Sequence, residues 1–226
     1  MQIQIQKIKI NNPLQRTVGI IGQKGSGKTI LMILIWRACR EKNISSVFFD
    51  TLNQIRYKNK LIIKKWDSEE TKQKMILVTK RLIEKAIQHK ASIVIAFKDL
   101  IPHEIQDFCN SLFPVTRFRN CMVFFDEIHE YAPELVKGSE EIQRFIRHCR
   151  NYNVGIVFNT QRPAMVKKNI FALVDLLIIM RTVWLADLKI VAEYLKNAGY
   201  TEEKVNYFIK EVQNLKTFEG YKIDFF

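Results

Sequence analysis

Val18-Gly19-Ile20-Ile21-Gly22-Gln23-Lys24-Gly25-Ser26-Gly27-Lys28-Thr29-Ile30 is the stretch that decides how this chain is read. An apolar run, Val18 to Gly22, leads into glycine-rich sequence, and a helical pattern continues from Ile30 to Cys39. Gly22 to Thr29 match G-x-x-x-x-G-K-[ST] in full, in the strand-then-helix setting that gives this pattern its meaning. Each residue type answers to phosphate chemistry. Glycines let the backbone wrap closely and turn its N–H groups inward. A helix opening near Lys28 adds its positive end. Lys28 supplies a point charge for β- and γ-phosphates, and Thr29 a hydroxyl ligand for Mg²⁺. The expected nucleotide-binding set is Gly22, Gln23, Lys24, Gly25, Ser26, Gly27, Lys28, Thr29 and Ile30. A dinucleotide G-x-G-x-x-G reading from Gly25 fails, because Ile30 stands where its third glycine belongs.

Outward from this stretch, short apolar runs recur at 47–50, 92–97, 122–125, 154–159 and 176–180. Helical patterns lie between them at about 69–89, 102–112, 139–151 and 164–172. Continuous apolar strands alternating with helices predict an α/β fold, a mostly parallel sheet covered on both faces. Met1 to Ile10 alternates Gln/Lys with Ile and reads as a strand. At the far end, 185–196 and 201–215 are two helical patterns joined at Asn197-Ala198-Gly199-Tyr200, with Gly199 as a C-cap and Thr201 as an N-cap. An αα-hairpin packed on the sheet is the simpler reading of the pair; a DNA-reading helix-turn-helix is the alternative. Thr217 to Phe226 alternates like an edge strand. No repeat or linker divides the chain, so residues 1–226 are read as one domain, with a core at about 15–185 and the hairpin and strand at 185–226.

Two further strand ends carry chemistry. Met122 to Phe125 runs into Asp126-Glu127. Asp126 is placed to hold Mg²⁺, and Glu127 to orient and deprotonate an attacking water. His129 and Glu130 stand nearby and are read as surface or supporting groups; Asp50, also at a strand end, reads as a turn former. The buried run Val154 to Phe158 turns abruptly polar at Asn159-Thr160-Gln161-Arg162-Pro163. Ligands of α/β sheets bind at this strand edge, so Gln161 is a candidate for the γ-phosphate or the water. Arg144, Arg147 and Arg150 form a basic stripe before that strand, either a solvated face or a source of an arginine finger for a neighbouring subunit.

Composition bounds the partners. The 226 residues hold 36 Lys+Arg against 23 Asp+Glu, a net +13, which attracts polyanions, nucleic acid or a membrane surface above all. Residues 56–90 carry +7 of that charge. There Lys58, Lys60, Lys64 and Lys65 surround Leu61-Ile62-Ile63 beside Trp66 and are candidates for sequence-independent phosphate contacts; Lys167 and Lys168 are a second group, suited to lining a ring pore. No run of eighteen apolar residues is present, so no transmembrane span is expected. Four scattered cysteines without a C-x-x-C pair argue against a disulfide framework or zinc ribbon and for a reducing, cytoplasmic setting.

Taken in order, Gly22 to Thr29, Phe124-Phe125-Asp126-Glu127, Arg147-x-x-Arg150 before Val154-Gly155, and Thr160-Gln161-Arg162-Pro163 resemble the HerA–FtsK superfamily of hexameric DNA-pumping ATPases. The resemblance covers roughly residues 15–185 and implies a RecA-like P-loop NTPase of the ASCE type, acting on ATP with Mg²⁺ as a homo-oligomeric ring on double-stranded DNA. It implies that Lys28 and Thr29 bind ATP–Mg²⁺, that Glu127 activates water and that Gln161 senses the γ-phosphate. Arg150 matches the family's trans-acting arginine, with Arg147 and Arg181 as rivals. HerA proteins carry an N-terminal β-barrel and FtsK proteins membrane spans and a winged helix, none of which is evident in this sequence. A chain of this size is similar to the genome-packaging ATPases of icosahedral double-stranded DNA viruses with internal membranes, archaeal ones included. That implies work in the host cytoplasm and a transient place at the virion vertex, docked on a capsid or membrane protein. A cellular or plasmid DNA-transfer or repair ATPase is the alternative within the superfamily. A small-molecule P-loop kinase and a nucleotide-gated scaffold are the alternatives outside it; Glu127 counts against both.

Overall fold

The computed structural model describes residues 2–4, 13–134 and 139–225. The apolar runs become strands, and among the described residues these join into one nine-stranded sheet. In chain order they are β1 (Gln2–Gln4), β2 (Thr17–Ile21), β3 (Ser45–Asp50), β4 (Lys60–Ile63), β5 (Ser92–Phe97), β6 (Cys121–Phe125), β7 (Val154–Thr160), β8 (Leu176–Met180) and β9 (Glu219–Asp224). The spatial order is β1-β9-β8-β2-β7-β6-β3-β5-β4. All pairs from β8 to β4 are parallel, and β9 runs antiparallel to β8 and β1. The alternating segment at 1–10 is a strand at 2–4, and its remainder lies outside the described residues.

The helices are α1 (Lys28–Glu41), α2 (Glu69–Gln88), α3 (Pro102–Leu112), α4 (Glu140–His148), α5 (Lys168–Phe171), α6 (Leu185–Asn197) and α7 (Glu202–Asn214). Period-two alternation in a strand sends neighbouring residues to opposite faces, so the core has two layers. Val18 and Ile20 of β2 pack with Leu31, Met32, Ile35 and Trp36 of α1. Ile21 joins the larger layer, where Ile76 and Ile83 of α2, Ile105 and Phe108 of α3, and Ile142 and Ile146 of α4 cover the other face. Parallel register sets Phe48 opposite Phe124 and Phe49 opposite Phe125. Both pairs stack, at 5.5 and 5.3 Å, one in each layer. Gly155 is required where β7 passes the chain: a Cβ there would stand 2.0 Å from the Pro13 carbonyl oxygen.

Four details differ from the sequence expectations. The strand Lys60–Ile63, not foreseen, forms the sheet edge beside β5. The pattern at 164–172 is not one helix. A 3₁₀ turn spans Pro163–Met165, Val166 bridges Pro133, and Glu134 N–H donates to the Met165 carbonyl, so an extended link precedes α5. The pattern at 139–151 is α4 continued by a 3₁₀ turn at Cys149–Tyr152. The terminal strand forms, one place in from the edge, with β1 outside it.

The C-terminal helices pack on the sheet as an αα-hairpin: Val191, Leu195, Val205 and Val212 are buried in the larger layer. Gly199 takes φ 86° after α6, and Tyr200 N–H reaches back to the Leu195 carbonyl, the left-handed helix stop that glycine permits. Thr201 occupies the N-cap of α7, but its side chain makes no capping bond.

Candidate functional site

Parallel strands deliver their C-terminal ends to one sheet edge, and β2, β7 and β6 are neighbours there. The segments leaving these three strand ends assemble the site. After β2, the loop Gly22–Gly27 turns into α1. Gly25 and Gly27 have φ 80° and 105°, conformations that side chains with a Cβ rarely adopt. Gly27 is the N-cap without a side-chain cap, and no acidic residue lies in the first turn, which leaves the positive helix end open to an anion. Lys28 is 5% exposed, and its ammonium donates to the Gln23 carbonyl at 3.1 Å. Burial lowers its pKa, and the charges of Glu127 and Asp126 oppose that shift.

The loop is held from both sides. Gly22 N–H bonds the Thr160 carbonyl, and Gln23 N–H bonds the Arg181 carbonyl at 2.8 Å. From the chain terminus, Phe218 N–H donates to the Ser26 carbonyl at 3.1 Å. The Phe218 ring lies so close to Gly27 that a Cβ on that glycine would meet it at 2.6 Å.

After β6, Asp126 and Glu127 are buried. Asn159, near the end of β7, binds both: its amide donates to Asp126 Oδ1 at 2.8 Å, and its carbonyl oxygen accepts Glu127 N–H at 2.7 Å. Thr29 Oγ1 lies 3.5 Å from the same Asp126 oxygen. Burial pushes the Asp126 carboxyl up to about 6; the Asn159 hydrogen bond opposes this, and the charges of Glu127 and Asp50 add to it. Glu127 has φ 56°, a strained conformation for a non-glycine residue. Its Oε2 accepts Gln161 N–H at 3.0 Å and lies 3.3 Å from His129 Nδ1. His129 Nδ1 is also 3.0 Å from Thr160 Oγ1, and Nε2 is 3.3 Å from Glu130.

The residues fit a magnesium nucleotide. Gln23 Oε1 and Ser26 Oγ are buried within the loop without a hydrogen-bond partner, although such atoms are normally satisfied. Thr29 and Asp126 offer two hard oxygen donors, the kind Mg²⁺ takes when phosphates complete its shell. No cluster of three or more His, Cys, Asp or Glu suited to a metal exists among the described residues.

The structure therefore brings Lys28, Thr29, Asp126, Glu127 and Gln161 to one edge. It also adds Asn159, read in the sequence only as part of a strand turning polar, and of the two readings of His129, surface or supporting group, it favours the second: the side chain is buried against Glu127. Two of the arginine candidates lie elsewhere, whereas Arg181, exposed just after β8, stands beside the loop, its carbonyl bonded to Gln23 N–H. Arg150 and Arg147 precede β7 at the opposite edge. Arg150 is paired with buried Asp175, whose other oxygen accepts Thr17 N–H at 2.7 Å. Arg147 is exposed and makes no ion pair among the described residues.

The DNA candidates are also dispersed. Lys60 is withdrawn from that role: its ammonium is held 3.1 Å from fully buried Asp50 and donates to the Ile55 carbonyl, because the β4 register turns it toward the Asp50 turn. Asp50 accepts Gln54 and Ile55 N–H as well, which accords with the turn reading. Lys58 and Lys64 are exposed near β4, and Lys65 sits 3.3 Å from Glu104. Lys167 and Lys168 lie at α5, with Lys168 3.8 Å from Glu193.

A phosphate loop, a carboxylate pair on a nearby strand and a polar strand end between them define a P-loop NTPase. The chain belongs to the family of the type III restriction enzyme res subunit, whose profile matches residues 2–156. That span includes the phosphate loop and Asp126-Glu127 and ends before Asn159. No curated protein matches the chain.

The fold is shared with the genome-packaging NTPase B204 of Sulfolobus turreted icosahedral virus 2. Its complex with ATP-gammaS is 17% identical, with TM-score 0.66 over 96% of this chain and 94% of that one. The AMPPCP complex gives 16%, 0.65, 95% and 93%. The bacterial conjugative coupling protein TrwB is 10% identical, with TM-score 0.61 over 95% and 83%. These likenesses bear out the HerA–FtsK resemblance at the level of fold. No described helix is long and apolar enough to cross a membrane.

Proposed function

We propose that this protein is an ATP-hydrolysing double-stranded DNA translocase that packages a viral genome. The observation that carries the reading is the junction of Lys28, Asp126, Glu127 and Asn159 at one sheet edge in a chain of net charge +13. A kinase needs no base beside the metal carboxylate, whereas Glu127 is held there by three groups: the N–H of Gln161, the Asn159 amide and His129.

ATP enters as substrate, its β- and γ-phosphates against Lys28 and the loop N–H groups. Mg²⁺, held by Thr29 and Asp126, would neutralise charge on those phosphates. Glu127 takes a proton from a water that attacks the γ-phosphorus. The new O–P bond forms as the β,γ-bridging bond breaks and ADP leaves with its electron pair. The Gln161 side chain senses the γ-phosphate.

In a ring, a neighbour's arginine completes the site. Arg150, Arg147 and Arg181 are the candidates, and the Asp175 pairing of Arg150 favours its rivals. Lys58, Lys64, Lys65, Lys167 and Lys168 are left as sequence-independent DNA contacts. The setting is the host cytoplasm, with docking at a capsid vertex or membrane protein. The fold shared with TrwB supports a second reading, a plasmid or cellular DNA-transfer ATPase.

Steady-state ATP hydrolysis with and without long duplex DNA, beside Glu127→Ala, tests the proposal. Stimulation by DNA that the variant abolishes is the expected result; hydrolysis indifferent to DNA contradicts it.

A further inference from the structure

The edge of the sheet opposite the phosphate loop carries a second cleft. The segment from Phe113 to Asn120 enters β6, and the 3₁₀ turn Cys149–Tyr152 enters β7. Together with α4 they enclose about 480 Å³. Its floor is aromatic: Phe113, Phe118 and Phe145 pack against one another with centroids 4.8–5.2 Å apart. Its rim is basic. Arg117, Arg119 and Arg144 line it with His148, against one carboxylate, Glu141, which sits 3.9 Å from Arg144.

Tyr152 stands at the mouth, 48% exposed, with the Arg119 guanidinium 5.8 Å from its ring centre. Its backbone is fixed, because its carbonyl accepts Asn120 N–H at 3.1 Å and the Asn153 amide binds the Asn120 side chain at 2.8 Å. An exposed aromatic ring beside Arg119, on a rigid turn at an arginine-lined cleft, matches the two needs of an unpaired nucleotide: a flat surface for the base and cations for the phosphate.

We infer that this cleft binds single-stranded nucleic acid, stacking a base on Tyr152 while Arg117 and Arg144 hold the flanking phosphates. Duplex DNA does not suit it, since paired bases keep their faces stacked inside the helix and the cleft is too small to admit the duplex. An acidic peptide would satisfy the arginines and leave the aromatic platform unused. The inference rests on neither ATP hydrolysis nor ring assembly, so it stands or falls apart from the proposed function.

The test is fluorescence anisotropy of labelled dT10 on the full chain at low salt. A saturating non-hydrolysable ATP analogue and Mg²⁺ keep the phosphate loop occupied. Tyr152→Ala, a surface change that spares the fold, should weaken dT10 binding about tenfold, the scale of one lost base stack. It should leave a ten-base-pair duplex unaffected. Arg144→Ala, at a side chain 73% exposed, should weaken dT10 and flatten its salt dependence by about one phosphate contact. An abasic decamer of equal charge should bind at about the Tyr152→Ala level. The inference is overturned if Tyr152→Ala binds dT10 as the wild type does, if the abasic strand binds as tightly as dT10, or if polyglutamate displaces dT10 as well as unlabelled dT10 does.

Discussion

Asn159 holds Asp126 by donating its amide to Oδ1 at 2.8 Å. The same side chain accepts Glu127 N–H, so one amide aligns the two carboxylates proposed as metal ligand and base. Asn159→Ala removes both bonds. It should lower kcat about 10- to 100-fold, the usual cost of losing a group that orients a ligand, with a smaller effect on KM for ATP. Steady-state kinetics over a range of ATP concentrations separate the two.

Buried Asp126, the proposed metal ligand, carries a cost to the unliganded fold. Burial raises its folded pKa to about 6, above its unfolded value near 3.8. An acid raised in this way stabilises the fold fully below its unfolded pKa, and that contribution is lost as pH rises through about 6. Asp126→Asn should therefore be the more stable protein at pH 8 without metal or nucleotide, by on the order of 1–3 kcal/mol. The gap should close as pH falls toward about 4. Thermal unfolding across pH in a chelator measures it. The same variant should lose magnesium-dependent hydrolysis.

Phe218 props the phosphate loop through its N–H bond to Ser26 and its ring on Gly27. Phe218→Ala should raise KM for ATP several-fold, with less change in kcat, because the loop loses its shape while Glu127 and Asn159 keep theirs. Phe218→Leu should recover part of the loss. Gly27→Ala meets both the ring and the positive φ, and should abolish nucleotide binding as read by a fluorescent ATP analogue.

Arg150→Ala frees buried Asp175 from its cation and should lower stability by about 1–3 kcal/mol. Arg147→Ala should leave stability unchanged and remove ATP hydrolysis, if Arg147 acts on a neighbour's site. Mixing it with Lys28→Ala protein should then restore some activity, since one subunit would lend its arginine and the other its intact loop. Unaltered hydrolysis by Arg147→Ala would remove that residue from the mechanism.

The parts legible in the sequence are those with a local signature. The loop from Gly22 to Thr29 needs its glycines at fixed spacing, and the apolar runs of β2, β5, β6, β7 and β8 stand out because parallel strands are buried on both faces. The parts hidden from a sequence reading depend on distant pairing. Lys60 resembles a free surface cation because Asp50, which binds it, is brought near only by a turn. His129 reads equally as surface or supporting group because its partners Glu127 and Thr160 meet only through the β6–β7 pairing. Asn159 has a visible signal, a polar residue at the end of an apolar strand, but its two bonds need the register. The Phe218 contact joins residues at opposite ends of the chain, and no periodicity announces it. β4 is hidden because four residues flanked by lysines look like solvated surface.

The central claim is that hydrolysis at Lys28, Glu127 and Asn159 moves the protein along duplex DNA. A third strand annealed on a long duplex as a triplex tests this, because a translocating protein strips it off. Wild-type protein with ATP and Mg²⁺ should release the third strand, more slowly as the duplex track lengthens, and Glu127→Ala should not release it. Retention of the third strand by wild-type protein that binds the duplex and hydrolyses ATP would contradict the account.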